Sequence, residues 1–160
     1  MRLNAPKGAL TDQLFIGQRG DVRFVQTPMY YPVTDAAMNT GSYEQFAEGF
    51  HLRRDMMQWF WDQYTTDPDE RAEITASPRR ATPDQLRDLP PALVINGEAD
   101  VLRDEGEAYA ELLREAGNDV QATRYAATIH DFMMLDALRD TEAAKAATAQ
   151  AIRFISERLA

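Results

Sequence analysis

The 160-residue chain is 44% hydrophobic and 27% charged, with a formal net charge of −9, which fits one globular domain with a real core. The acidic balance tells against nucleic acid as a partner, and no apolar run approaches a membrane span. There is no cysteine, and the two histidines, His51 and His130, stand far apart, so a disulfide, a cysteine nucleophile, a dedicated metal site and a bound cofactor are not expected.

In chain order, residues 1–20 form a poorly defined segment punctuated by Pro6, Gly8, Gly17 and Gly20, with a short helix around Ala9–Ile16 as an option. The first eight residues contain no apolar h-region. No signal peptide is therefore predicted, and together with the missing cysteines this predicts a cytoplasmic location. Val22 to Tyr31 reads as a buried strand through Val22, Phe24, Val25, Met29 and Tyr30. Thr34–Ser42 is small and polar, hence loop. Tyr43–Phe50 and Arg53–Tyr64 read as two helices. In the second, Met56, Trp59, Phe60 and Tyr64 share one face, and the aromatic cluster Trp59, Phe60, Trp61 and Tyr64 is expected to pack in the core, with a substrate-lining role for one or two of them as the second choice. Residues 65–90 hold four prolines and read as loop, with a short helix near Pro83–Leu86. Ala92–Gly97 is an apolar run ended by turn residues, the clearest strand in the chain. Asp104–Ala116 is a helix with Ala108, Leu112 and Ala116 in register and Gly117 as its C-cap. Val120–Tyr125 is the next strand, followed by a loop and a short apolar stretch over Thr128–Leu138. The last helix runs from about Thr141 to Leu159 with Ala144, Ala147, Ala151, Ile155 and Leu159 facing inward. A strand–helix–strand unit with a crossover this long implies parallel pairing, so the fold class is α/β.

Ligand sites of open parallel sheets lie beyond the carboxyl ends of the strands. Asp100 follows the Ala92–Gly97 strand within a few residues, and His130 follows Val120–Tyr125 after a comparable turn. A carboxylate beside an imidazole at that end fits the orienting acid and general base of a triad. A plainer reading exists for each. Asp100 also suits a turn or cap residue ahead of the helix near Asp104, and His130 a satisfied core histidine.

The local sequences decide between these readings by resemblance. Glu98–Gly106, EADVLRDEG, resembles the acid motif DPLRDEG of the hormone-sensitive-lipase-like branch of α/β-hydrolases. Tyr125–Phe132, YAATIHDF, resembles that branch's histidine motif Y-x-G-x-x-H-G-F. Tyr30–Asp35 (YYPVTD), Trp59–Tyr64 (WFWDQY) and Ala76–Pro78 are similar to it too, in the right order and from about residue 20 to the end. The resemblance implies a partial α/β-hydrolase fold over 21–160, with about three parallel strands flanked by helices and a cap-like insertion at about 34–90. It also implies that Asp100 is the catalytic acid and His130 the general base of a carboxylesterase-like, Ser-His-Asp enzyme acting on small acyl esters. Three departures accompany it. Val101 stands where proline is usual, and Ala127 and Asp131 replace two glycines around His130. If either glycine position needs a positive φ, an L-residue there costs about 1 kcal/mol.

A larger departure is an absence. A nucleophile elbow requires G-x-S-x-G. The chain's serines are Ser42, Ser77 and Ser156, none in that setting, and no H-G-G-G stretch offers oxyanion-hole amides. Ser77 precedes a proline in a loop and is a poor substitute. His51 is expected on the surface without a role, and Arg79–Arg80 as a solvated loop pair. Two functional readings follow: a half-site whose nucleophile comes from elsewhere, or a catalytically inactive remnant or non-enzymatic binding module. In the resemblance, the strand over Val22–Tyr30 pairs on its far side with the strand leading to the elbow. An uncovered apolar edge there predicts self-association or a partner chain.

Overall fold

The computed structural model describes residues 24–159. The possible helix at Ala9–Ile16 and the start of the first strand at Val22 lie outside them. Three parallel strands form one sheet in the order β1 (Thr27–Tyr30), β2 (Ala92–Ala99), β3 (Val120–Ile129). The first strand is shorter than its apolar pattern predicts. Its ladder opens with Thr27 opposite Ala92, and the two residues before Ala92 are Pro90 and Pro91, which have no N–H to give. Thr27 N–H donates to the Pro91 carbonyl at 2.8 Å, and upstream of that point Val25 is 50% exposed, against its expected burial.

Residues between β1 and β2 hold α1 (Gly41–Gln45), α2 (Arg54–Tyr64) and α3 (Pro68–Ala72), with 3₁₀ turns at Pro78–Arg80 and Pro83–Leu86. The first of these helices ends earlier than the predicted Tyr43–Phe50, and Gly49 at φ +83° turns the chain out of helical space. Asp67 caps α3, its carboxylate accepting Asp69 N–H at 2.9 Å with Pro68 in the first turn. That start signal lay inside the stretch read as loop. On α2 the buried residues are Met57 and Trp61, while Trp59, Phe60 and Tyr64 are exposed. Of the expected aromatic cluster, only Trp61 is buried. The aromatics span more than one face of this helix, so spacing alone does not choose which part of the arc packs.

The two faces of β2 build two cores. Ala92 and Val94 pack with Met29, Leu86 and the inner face of α4 (Arg103–Glu115). Leu93 and Ile95 pack with Phe132 and with Ala144, Ala147 and Phe154 of α5 (Glu142–Leu159). Burial on both faces is why β2 reads as a continuous apolar run. The bounds of α4 fall within one residue of those expected; its buried residues include Glu105, Tyr109 and Leu113, and the expected Leu112 and Ala116 pack partly buried against the same core. Gly117 closes it at φ +88°, with Asn118 N–H donating back to the Leu113 carbonyl at 3.1 Å, a Schellman ending. At the far end of α5, Phe154 is buried and Leu159 exposed, so the inner face drifts from the alanine stripe. A third core joins Tyr43, Leu52, Met57 and Trp61 to Val101 and Leu102. The helical excursion thus packs on the loop that follows β2.

Candidate active site

Asp100 directly follows β2 and is 1% exposed. Its Oδ1 accepts Leu102 N–H at 2.9 Å, which shapes the turn into α4. Its Oδ2 lies 2.8 Å from Nδ1 of His130, just beyond the end of β3. The carboxylate is therefore both the turn residue of the plain reading and the partner of the imidazole. One oxygen does each job. A buried carboxylate with two directed bonds holds the ring in one orientation, and in a neutral ring such a partner favours the tautomer that carries its proton on Nδ1.

The His130 ring rests on Tyr31, centroids 5.0 Å apart. Tyr31 follows β1 with φ +42°, a sparsely populated conformation for an aromatic residue. Its hydroxyl accepts Met133 N–H at 3.1 Å, in the loop that carries His130. Burial pushes its phenol up to about 12, so it stays protonated. Tyr31 thus touches the imidazole face and the histidine loop at once. Spacing gave no sign of this; the signal available was the tyrosine directly before Pro32 at a strand end.

Both replaced glycines occupy left-handed backbone. Ala127 has φ +55° and Asp131 φ +63°, so the conditional cost attached to these two substitutions applies. The Asp131 carboxylate stands 3.5 Å from His130 Nε2 through Oδ1 and 3.8 Å from His51 Nε2 through Oδ2. His51 is exposed, as expected, and stands on the solvent side of Asp131 as its ion-pair neighbour.

None of the three serine hydroxyls serves His130. Ser42 Oγ donates to the Val101 carbonyl at 2.6 Å, Ser77 Oγ to the Arg71 carbonyl at 2.6 Å, and Ser156 Oγ to the Ile152 carbonyl at 2.8 Å. Ser42 is a brace instead: its N–H donates to Asp104 Oδ2 at 2.7 Å, tying α1 to the first turn of α4. Arg79 and Arg80 are partly solvated, as expected, but they also converge on buried Asp35 at 2.7 and 3.1 Å. Among the described residues, no group of three His, Cys, Asp or Glu side chains is arranged to hold a metal ion. No helix among them is long and apolar enough to cross a membrane.

Comparison with known proteins agrees with this architecture. A family model described as the alpha/beta hydrolase fold matches residues 8–134. Vegetative-specific protein H5 of Dictyostelium discoideum is 41% identical over 128 residues, covering 80% of this chain and 38% of that protein. The ethyl acetate hydrolase of Pseudomonas putida is 36% identical over 110 residues, 69% of this chain and 34% of the relative. Among solved structures, a thermostable esterase from Pseudomonas putida ECU1011 superposes with a TM-score of 0.88 at 49% identity, covering 89% of this chain and 45% of that one. The chain spans under two fifths of the length of these curated relatives.

Proposed function

The chain belongs to the α/β-hydrolase fold family, and from that premise we propose that it supplies the acid–base half of a carboxylesterase active site. In this reading Asp100 is the orienting acid and His130 the general base. The nucleophilic serine and the oxyanion amides lie outside these 160 residues, on the same polypeptide or on a separate chain. The observation that carries it is the 2.8 Å contact between Asp100 Oδ2 and His130 Nδ1 at the carboxyl ends of adjacent parallel strands.

The proposed chemistry follows from that contact. With Nδ1–H held by Asp100, Nε2 is the free base. It takes the serine proton as the hydroxyl oxygen attacks the ester carbonyl, and Asp100 stabilises the imidazolium that forms. The imidazolium then gives the proton to the leaving alkoxide, which departs as the alcohol and leaves an acyl-serine. Water attacks the acyl carbonyl as His130 takes its proton, the bond from the acyl carbon to the serine oxygen breaks to release the carboxylic acid, and the imidazolium returns the proton to that oxygen, regenerating serine. The substrate class is a carboxylic ester with a small acyl group, in line with the names that the relatives carry. We place the complementing half against the edge of β1 turned away from β2, the outer edge of the sheet among the described residues, since a strand at a sheet's edge is a natural seat for another strand.

The test is complementation. The segment of the Pseudomonas putida esterase that carries its nucleophile, co-expressed with this chain, should yield a co-purifying complex. That complex should hydrolyse p-nitrophenyl acetate and lose the activity on His130→Ala or Asp100→Ala. A complex that co-purifies but shows no hydrolysis dependent on His130 overturns the reading.

A further inference from the structure

The register between β2 and β3 breaks where the site begins. Gly97 faces Tyr125 and Ala99 faces Ile129, so three residues of β3, Ala126 to Thr128, stand opposite the single residue Glu98. The surplus forms a bulge, and bulges re-aim the strand that follows. Gly97 makes room for it, because a Cβ there would lie 2.8 Å from the Ile129 carbonyl oxygen. At the crest is Ala127, at φ +55°, where an alanine resists the conformation that a glycine would adopt freely.

Something must therefore hold Ala127. Its N–H, displaced from the regular ladder, donates to Glu98 Oε2 at 2.6 Å. Glu98 is itself held, its backbone carbonyl accepting from Arg103 Nη1 at 3.1 Å. The Arg103 guanidinium is fixed in turn by Asp104 at 2.8 Å and lies 5.0 Å over the Phe46 ring. Glu98 is two residues before Asp100, and Ala127 three before His130. The bond thus clasps the two loops at the last point before their side chains must meet.

We propose that Glu98 is a positioning residue for the Asp100–His130 pair, its carboxylate holding the left-handed Ala127 and so setting the direction in which β3 delivers the imidazole. Its functional consequence rests on the esterase reading above, but the geometry can be read without any ester turnover. The two claims therefore fail separately.

The readout is the Nδ1–H proton of His130, bridged to Asp100, followed by NMR in the intact chain and assigned by its loss in His130→Gln. Glu98→Ala should speed the exchange of this proton with water by about tenfold, the scale of one lost hydrogen bond to a charged group. Glu98→Gln, which keeps an acceptor oxygen, should stay within about twofold. The deciding variant is Glu98→Ala combined with Ala127→Gly. A glycine needs no clasp to adopt positive φ, so the double variant should return toward the parent rate. If Glu98→Ala alone does not fold, a folded double variant with the parent resonance carries the same conclusion. Unchanged exchange in Glu98→Ala overturns the proposal. So does a double variant that remains as fast as Glu98→Ala, or that fails to fold.

Discussion

Replacing Glu105 with glutamine should flatten the pH dependence of stability over a defined window. Glu105 sits in the first turn of α4, fully buried. Its Oε1 accepts Thr34 N–H at 2.6 Å and Asp35 N–H at 3.2 Å, and its own carbonyl accepts from Thr34 Oγ1 at 3.0 Å. These bonds tie the exit of β1 to the acid loop. Burial pushes the carboxyl up to about 8 from an ordinary 4.5; the two backbone N–H groups and Arg79 pull it down, Asp35 pushes it up, and burial outweighs them. The folded chain therefore keeps a proton there that the unfolded chain gives up. Unfolding releases that proton between about pH 4.5 and 8, so this contribution is fully present below the window and is lost as pH rises through it. The gap between the two values converts to a loss on the order of 5 kcal/mol across the window, at about 1.4 kcal/mol per pH unit. Glutamine keeps an acceptor oxygen for the two N–H groups and has no proton to lose. Urea unfolding of both proteins at steps from about pH 4 to 9, a range that brackets the window, followed by tryptophan fluorescence, gives the difference directly. The parent should lose stability relative to Glu105→Gln by that slope. Parallel profiles would refute the reasoning, for they would mean that the two N–H bonds keep the carboxylate ionised in the folded state.

The chain by itself should not hydrolyse p-nitrophenyl esters through an acyl-serine, because all three serine hydroxyls are engaged elsewhere; fluorophosphonate labelling of any of them with matching loss of activity would contradict this. Gly97→Ala should destabilise the chain by about 1–3 kcal/mol, since the new methyl meets the Ile129 carbonyl oxygen at 2.8 Å; an unchanged midpoint in urea would show that the bulge yields. Static light scattering should find a dimer or higher oligomer at micromolar concentration, driven by the outer edge of β1; a monodisperse, cooperatively unfolding monomer would count against that edge as a docking seat.

The order of elements and the parallel pairing were legible because they rest on local signals. Those signals include the apolar run of β2, Gly117 ending α4, and a crossover of one helix between β2 and β3. The meeting of Asp100 and His130 was legible because each follows a strand by a short turn, and parallel strands open their turns at the same end. Helix faces were legible only in part: Ala144, Ala147 and Ala151 of α5 are buried as expected, but the most buried residues of α4 were not foreseen. The buried side of α4 carries Glu105 and Tyr109, residues that a hydrophobic pattern counts as polar or mixed. Glu105 is inside because Thr34 and Asp35 supply the matching donors. The exposed aromatics of α2 misled in the opposite sense, since an apolar arc wider than the packed face leaves tertiary contact to choose which part of it is buried. The extension of β3 from Ala126 to Ile129 was hidden as well, because a bulge inserts residues that break the period-two pattern.

The proposed division of the site has a basis in where its residues are built. Asp100 comes from the end of β2 and His130 from the end of β3, and those two strands pair along most of their length. Glu98, Gly97 and Ala127 adjust the last step between them, while Tyr31 supports the ring from the end of β1. Every one of these groups lies within the described residues, and none depends on a nucleophile to hold its place. A carboxylate and an imidazole at 2.8 Å are thus set by the sheet before any serine approaches. Electrostatic preorganisation of this kind is what a general base needs, because the ring is then oriented and the proton has a defined path at the moment of reaction. Asp131 runs against it, holding a carboxylate 3.5 Å from Nε2, on the side from which a serine hydroxyl would approach. An incoming nucleophile must share that nitrogen with Asp131 or displace it. Asp131→Gly in the complemented enzyme removes the competing charge and relieves the backbone at φ +63° in a single change. That variant should hydrolyse p-nitrophenyl acetate faster than the parent complex. A slower variant would mean that the Asp131 carboxylate assists the ring instead of competing for it.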